Sequence, residues 1–224
     1  MPSRHEEKYI ITYQQYAMLK SRAMALLTPD SHAGEKGYLV TSLYFDDHRD
    51  NALWEKLDGL PEHSKFRIRS YDYSDRVIKL ERKDKRGILT EKFSAGLNRE
   101  QTAMLARADD RLEGLTGSAY DLAAQMQAKE LRPVVAVRYK RDAFFFEGSD
   151  LRLTFDRELE AIGPEVEALF SREVTGLPVL DRNSVVMEIK YGEYVPAFVR
   201  MLTAVEGKQL SVSKYALCRE KYMI

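Results

Sequence analysis

Charged side chains fall on every second position of several short, otherwise apolar segments. This alternation restricts the fold more than any other feature. In Ser64–Tyr71 it puts Lys65, Arg67 and Arg69 on one parity; in Val77–Lys83 it sets Lys79, Glu81 and Lys83 against Ile78 and Leu80. Leu151–Asp156 and Val185–Lys190 repeat the scheme. Successive side chains of a strand leave opposite faces, so a period of two sends each charged set to one side. Strands of one curved sheet would gather these side chains into a basic lining in which the carboxylates Glu6, Glu81 and Glu188 stand among cations. Such a lining suits a polyanion together with Mg²⁺ or Mn²⁺, so phosphate chemistry is the first expectation.

The rest of the chain reads as a strand meander with helices attached. Strands are expected at 6–12, 37–45, 64–73, 76–85, 88–94, 133–146, 150–157 and 184–191. Thr12 with Gln15, and Asn98 with Gln101, have the spacing of capping boxes and open helices to about Leu27 and Ala108. Asn51–Leu57 reads as a short helix packing Trp54, and a further helix is expected near Ala119–Lys129. Pro196 opens a helix to about Val205, and Ser213 caps a last one carrying Lys214, Tyr215 and Cys218. Tyr73-Ser74-Asp75, Asp84-Lys85-Arg86-Gly87 and Gly148-Ser149-Asp150 are the expected turns. Short connections between consecutive strands imply an antiparallel sheet, and near closure would protect its edges. The fold class is therefore mainly antiparallel β with helices (α+β), in a single domain spanning residues 1–224.

Lysine plus arginine equals aspartate plus glutamate at 35 each, which argues against a general nucleic-acid binder while permitting a local basic site. The single cysteine excludes an internal disulfide. Neither a signal-like N-terminus nor a membrane-length apolar run is present, so a soluble, cytoplasmic protein without direct membrane insertion is expected. No phosphate loop of the Gly-x-x-x-x-Gly-Lys type occurs, and His5, His32, His48 and His63 lack metal-ligand spacing. For any one strand a solvated polar face is the better explanation of alternating charge. The functional reading gains from the number of strands that share the pattern, because cations crowded on one lining repel unless an anion normally occupies it.

Taken in order, Glu6-x-Lys8-Tyr9, Lys65-x-Arg67-x-Arg69, Leu80-Glu81-Arg82-Lys83, Tyr139-Lys140-Arg141-Asp142, Leu151–Asp156, Met187-Glu188-Ile189-Lys190-Tyr191 and Ser213-Lys214-Tyr215 resemble the catalytic domain of the vacuolar transporter chaperone (VTC) family. That domain is a polyphosphate polymerase of the triphosphate tunnel metalloenzyme (CYTH-like) superfamily. The resemblance implies an eight-stranded antiparallel β tunnel that transfers the terminal phosphate of ATP to polyphosphate, releases ADP and needs Mn²⁺ or Mg²⁺. It implies phosphate-binding roles for Lys8, Arg67, Arg69, Lys83, Arg141, Arg152 and Lys214, with Lys92 matching less closely, and a metal-binding role for Glu188. Lys65, Lys79, Lys190 and Tyr215 are the further substrate-contact candidates, and Glu6 and Glu81 the further metal or base candidates. The wider superfamily carries Glu-x-Glu-x-Lys where this chain reads Arg4-x-Glu6-x-Lys8, a departure that fits the polymerase branch. The inositol-phosphate sensing domain and membrane spans of eukaryotic members have no counterpart here, so regulation, export and any membrane-protein partner are not implied. A triphosphate hydrolase using the same tunnel and a non-catalytic polyphosphate-binding module are the alternative readings.

Overall fold

The structure, a computed structural model, describes residues 5–34, 36–87, 89–109, 112–192, 197–203, 208–209 and 213–223. In chain order the elements are β1 (His5–Thr12), α1 (Tyr13–Leu26), β2 (Thr28–Pro29), β3 (Tyr38–Asp46), α2 (Asn51–Leu57), β4 (Glu62–Tyr71), β5 (Ser74–Arg86), β6 (Leu89–Leu97), α3 (Arg99–Ala106), α4 (Gly117–Ala128), β7 (Arg132–Phe145), β8 (Arg152–Ile162), a 3₁₀ turn (Val166–Leu169), β9 (Leu177–Pro178), β10 (Ser184–Tyr191), α5 (Ala197–Thr203), β11 (Lys208–Gln209) and α6 (Lys214–Met223). Among the described residues β2, β9 and β11 have two residues each, which leaves eight long strands, as expected from the sequence.

The chain divides into two compact units, each assembled from separate stretches. The first holds residues 1–38, 139–159 and 180–212; the second holds 39–138, 160–179 and 213–224. In the first, the strand order is β11-β1-β10-β8-β7, with β1, β8 and β10 paired antiparallel. One face of these strands buries Ile11, Leu153, Phe155, Val185, Met187 and Ile189 against Tyr16, Leu19 and Ala23 of α1. The Thr12 capping box starts α1 as expected: the Thr12 hydroxyl accepts from Gln15 N at 3.2 Å, and Gln15 Oε1 accepts from Thr12 N at 2.8 Å.

In the second unit the order is β7-β3-β4-β5-β6, with β3 to β6 pairing antiparallel. Leu43, Phe45, Phe66, Ile68, Ile78, Leu80, Ala95 and Leu97 share one face and pack against Leu105 of α3 and Leu122, Ala123 and Met126 of α4. Burying each large side chain of this kind contributes about 1.5–3 kcal/mol. Asn98 and Gln101 form the second expected capping box, and Cys218 is buried on α6.

Three local expectations are corrected. Residues Asp72 and Tyr73, both at positive φ, make the β4–β5 turn, so Ser74 already opposes Tyr71 in the ladder. A two-residue hairpin of this hand matches the strand twist. Asp84 is not in a turn either: the ladder runs to Arg86 and Leu89, and buried Asp84 accepts from the Ser64 hydroxyl at 2.7 Å. Trp54 is 50% exposed and Leu53 takes the inward position. The Asp46 carboxylate fixes that phase by accepting from Ala52 N and Leu53 N at the start of α2. Pro196 lies outside the described residues.

Candidate phosphate-binding site

In the second unit, alternation puts the site side chains on the face opposite the core. Registers across β4, β5 and β6 align Lys65 with Lys83 and Lys92, Arg67 with Glu81 and Ser94, and Arg69 with Lys79 and Gly96. Across these paired positions Glu81 is the one carboxylate. Arg67 Nε donates to it at 2.7 Å, Arg69 stands 3.9 Å away, and Lys92 forms a further ion pair. Burial alone would raise the Glu81 carboxyl, but Arg67, Arg69 and Lys92 outweigh it and hold the group at about 2. The row Lys65–Lys83–Lys92 places like charges directly opposite one another on three neighbouring strands, an arrangement that destabilises a sheet.

Aromatic and hydroxyl groups hold this face in place; of these the sequence reading selected Tyr215 but not Tyr44 or Ser42. Arg67 donates through Nη1 to the Tyr44 hydroxyl at 2.9 Å, and Arg69 donates through Nε to Ser42 at 3.1 Å. Tyr44 stacks on Tyr215 at 5.0 Å, and Tyr215 donates to Asp46 at 2.5 Å. Burial would push the Tyr44 phenol up; Arg67, Arg69 and Lys214 reverse that and hold it below the ordinary tyrosine value. Tyr215, in contrast, is pushed well up by burial and by Asp46. Lys65 donates to Ser213 at 3.1 Å and lies over the Tyr215 ring. Lys214 is the first residue of α6, and Lys79 is exposed to solvent. The partnership of Tyr44 with Arg67 has one local signal, the matching parity of the two residues on adjacent strands.

In the first unit the candidates sit in a charge checkerboard. Glu6 opposes Lys190, and Lys8 opposes Glu188. Along the strands, Lys8 pairs with Glu6, and Lys190 with Glu188 at 2.6 Å. Arg141 makes two bonds to the buried Asp156, at 2.7 and 2.8 Å. Burial would lower the Arg141 guanidinium, but Asp156, Tyr139 and Glu188 hold it well above its ordinary value. Arg152 donates to Asp30 at 3.0 Å and to the Tyr38 hydroxyl at 3.3 Å. The acids Asp156 and Asp30 were not selected from the sequence; long-range pairing of this kind leaves no local pattern.

Among the described residues no group of three or more His, Cys, Asp or Glu could hold a metal ion. Glu188 nonetheless supplies a hard carboxylate among cations, with Glu6 one register row away. This donor chemistry fits Mg²⁺ or Mn²⁺ that takes most of its oxygen ligands from phosphate. Glu81 is engaged by Arg67, Arg69 and Lys92, the arrangement of a counter-ion.

The profile of the VTC domain family matches residues 3–223. No curated protein matches the sequence. Among solved structures, a Bacillus halodurans protein provisionally assigned as an adenylate cyclase is 12% identical at a TM-score of 0.50, covering 99% of this chain and 89% of its own. The PH1819 protein of Pyrococcus horikoshii is 14% identical at 0.51, covering 97% and 99%. A chain of the Schizosaccharomyces pombe Mediator head module is 8% identical at 0.52, covering 92% and 96%. At such identities the likeness is one of fold, and it bears out the expected fold class. Among the described residues no helix is long and apolar enough to cross a membrane.

Proposed function

From the premise that the chain belongs to the VTC domain family, we propose that it is a metal-dependent phosphoryl transferase that extends inorganic polyphosphate from ATP. The observation that supports this most is the lysine row Lys65–Lys83–Lys92 beside Arg67, Arg69 and Lys79, six cations across three register rows in which Glu81 is the one carboxylate. A phosphate chain laid on that face turns repulsion into attraction, and the arginines meet its oxygens through paired N–H groups.

Phosphoryl transfer demands alignment and charge stabilisation more than covalent help from the protein. An ionised oxygen at the end of the polyphosphate chain attacks the γ-phosphorus of ATP. The new P–O bond forms as the bond to the β-phosphate oxygen breaks, and ADP leaves with that electron pair. The nucleophile is already ionised, so no strong base is required. Arg67 and Arg69, oriented by Tyr44, Glu81 and Ser42, neutralise non-bridging oxygens. In the second unit Lys65, Lys83, Lys92 and Lys214 would add further positive charge; in the first, Lys8, Arg141 and Arg152 are the phosphate-binding candidates that the family resemblance implies. Glu188 would hold the divalent ion, which when bound offsets charge on the phosphates.

Incubating the purified chain with ATP and Mn²⁺ or Mg²⁺ and resolving products on a gel tests the proposal. A ladder of long phosphate chains with matching ADP is the expected result. Phosphate release without chain growth would assign the chain to the hydrolases, and tight binding without turnover to the binding modules. Glu188→Ala is expected to lower metal-dependent turnover by about a hundredfold or more, as for loss of a principal charge-stabilising group, while the circular dichroism spectrum stays unchanged. Full turnover in that variant removes Glu188 from the reaction.

A further inference from the structure

Two of the buried side-chain atoms without a hydrogen-bond partner among the described residues lie on one face of one strand: Nε of Arg152 and Oγ1 of Thr154, both on β8. Thr154 is only 5% exposed. Leu153 and Phe155, on the opposite parity, are fully buried in the core of the first unit, so Arg152 and Thr154 share the polar face with Asp156. The nearest carboxylate in register with Thr154 is Glu188, which is engaged by Lys190 at 2.6 Å. The Nη2 group of Arg152 is committed to Asp30 and Tyr38, which fixes the guanidinium while Nε remains without an acceptor. Enclosing a hydroxyl and an N–H without acceptors is unfavourable unless something else accepts from them.

We infer that Arg152 Nε and the Thr154 hydroxyl form a two-donor subsite on β8 for oxygens of the phosphate chain. The inference rests on the phosphate reading proposed above and adds a residue, Thr154, that charge patterning does not reveal. Residues two apart on a strand lie about 6–7 Å apart on the same side, so both donors are within reach of one phosphate or of two consecutive ones. Thr41 supplies an internal control. Its hydroxyl is also buried and without a partner among the described residues, but it shares its parity with Leu43 and Phe45 on the core side of β3.

The test is titration of the full chain with inorganic tripolyphosphate, with and without Mn²⁺, alongside thermal melting of the ligand-free protein. Thr154→Val removes an unsatisfied hydroxyl while keeping the branched shape, so its melting temperature is expected to match or exceed that of the parent. Its tripolyphosphate affinity is expected to fall by about tenfold or more, as for a lost hydrogen bond to a charged acceptor, whether or not Mn²⁺ is added. Thr154→Ser should restore binding, and Thr41→Val should leave it unchanged. Unaltered binding by Thr154→Val overturns the inference, as does a loss confined to Mn²⁺-containing samples, which would make the hydroxyl a metal contact. A loss of binding that accompanies a lower melting temperature assigns Thr154 a structural role and overturns it too. If the parent chain itself does not bind tripolyphosphate, the phosphate reading falls and this inference with it; if the parent binds and the variant binds equally, the inference falls alone.

Discussion

The polar strand faces of the two units carry similar residues to opposite electrostatic ends. In the first unit nearly every candidate cation has its own acid: Lys8 with Glu6, Lys190 with Glu188, Arg141 with Asp156, Arg152 with Asp30. In the second, Arg67, Arg69 and Lys92 converge on Glu81, and three lysines stand in one row. A balanced face gains stability from its pairs in the absence of ligand. A face with surplus positive charge is destabilised until an anion arrives, so its composition records a ligand more directly than any single residue does. Substitutions that break an ion pair of the first face should therefore register chiefly in stability, and those that remove a cation of the second chiefly in binding.

The largest expected effect tests the balanced face. Asp156 is fully buried and holds Arg141 through two bonds. Asp156→Asn leaves a buried guanidinium without its charged partner, a change that typically costs about 3–5 kcal/mol. Chemical denaturation should show that loss. A stability change below about 1 kcal/mol, the range of exposed pairs, would mean that the first unit does not depend on its internal ion pairs.

The surplus face should respond in the other observable. Arg67→Ala removes a cation whose neighbour Glu81 keeps Arg69 and Lys92, so unfolding should change little. Tripolyphosphate affinity should drop by about 1.5–3 kcal/mol, the worth of a charge-assisted contact. If affinity holds while stability falls, Arg67 belongs to the scaffold and the comparison between the two faces fails.

The sequence made the faces legible because a strand's period of two is a local property: the parity of Lys65, Arg67, Arg69, Lys79 and Glu81 determined their shared side before any pairing was known. Capping at Thr12 and Asn98 was readable for the same reason, since each box closes within four residues. What stayed hidden depends on distant segments. Asp156 serves Arg141 across a strand pair, Asp30 reaches Arg152 from just after β2, and Tyr44 acquires its role from Arg67 and Tyr215. Trp54 was misplaced because its helix is phased by Asp46, a residue on the preceding strand. Thr154 carried no charge to betray it, and only its burial without a partner among the described residues marks it.

The smallest and most specific effect concerns Glu81 and acid. Its carboxyl lies at about 2 in the folded chain against an ordinary value of 4.5, so the unfolded state binds the proton more readily. The stability it supplies is fully present above pH 4.5 and is lost as pH falls through about 2. Glu81→Gln never has that contribution. At neutral pH it should be less stable than the parent, and the gap should narrow as pH is lowered from 4.5 towards 2. The same change removes the negative charge from a surplus-positive face, so tripolyphosphate should bind it more tightly at pH 7. A gap that stays constant across the acid range would show that Arg67, Arg69 and Lys92 do not depress the carboxyl. Weaker rather than tighter binding would show that Glu81 is needed to orient Arg67 more than its charge opposes the ligand, and the second face would then resemble the first: organised by its own pairs, with the anion fitted to them.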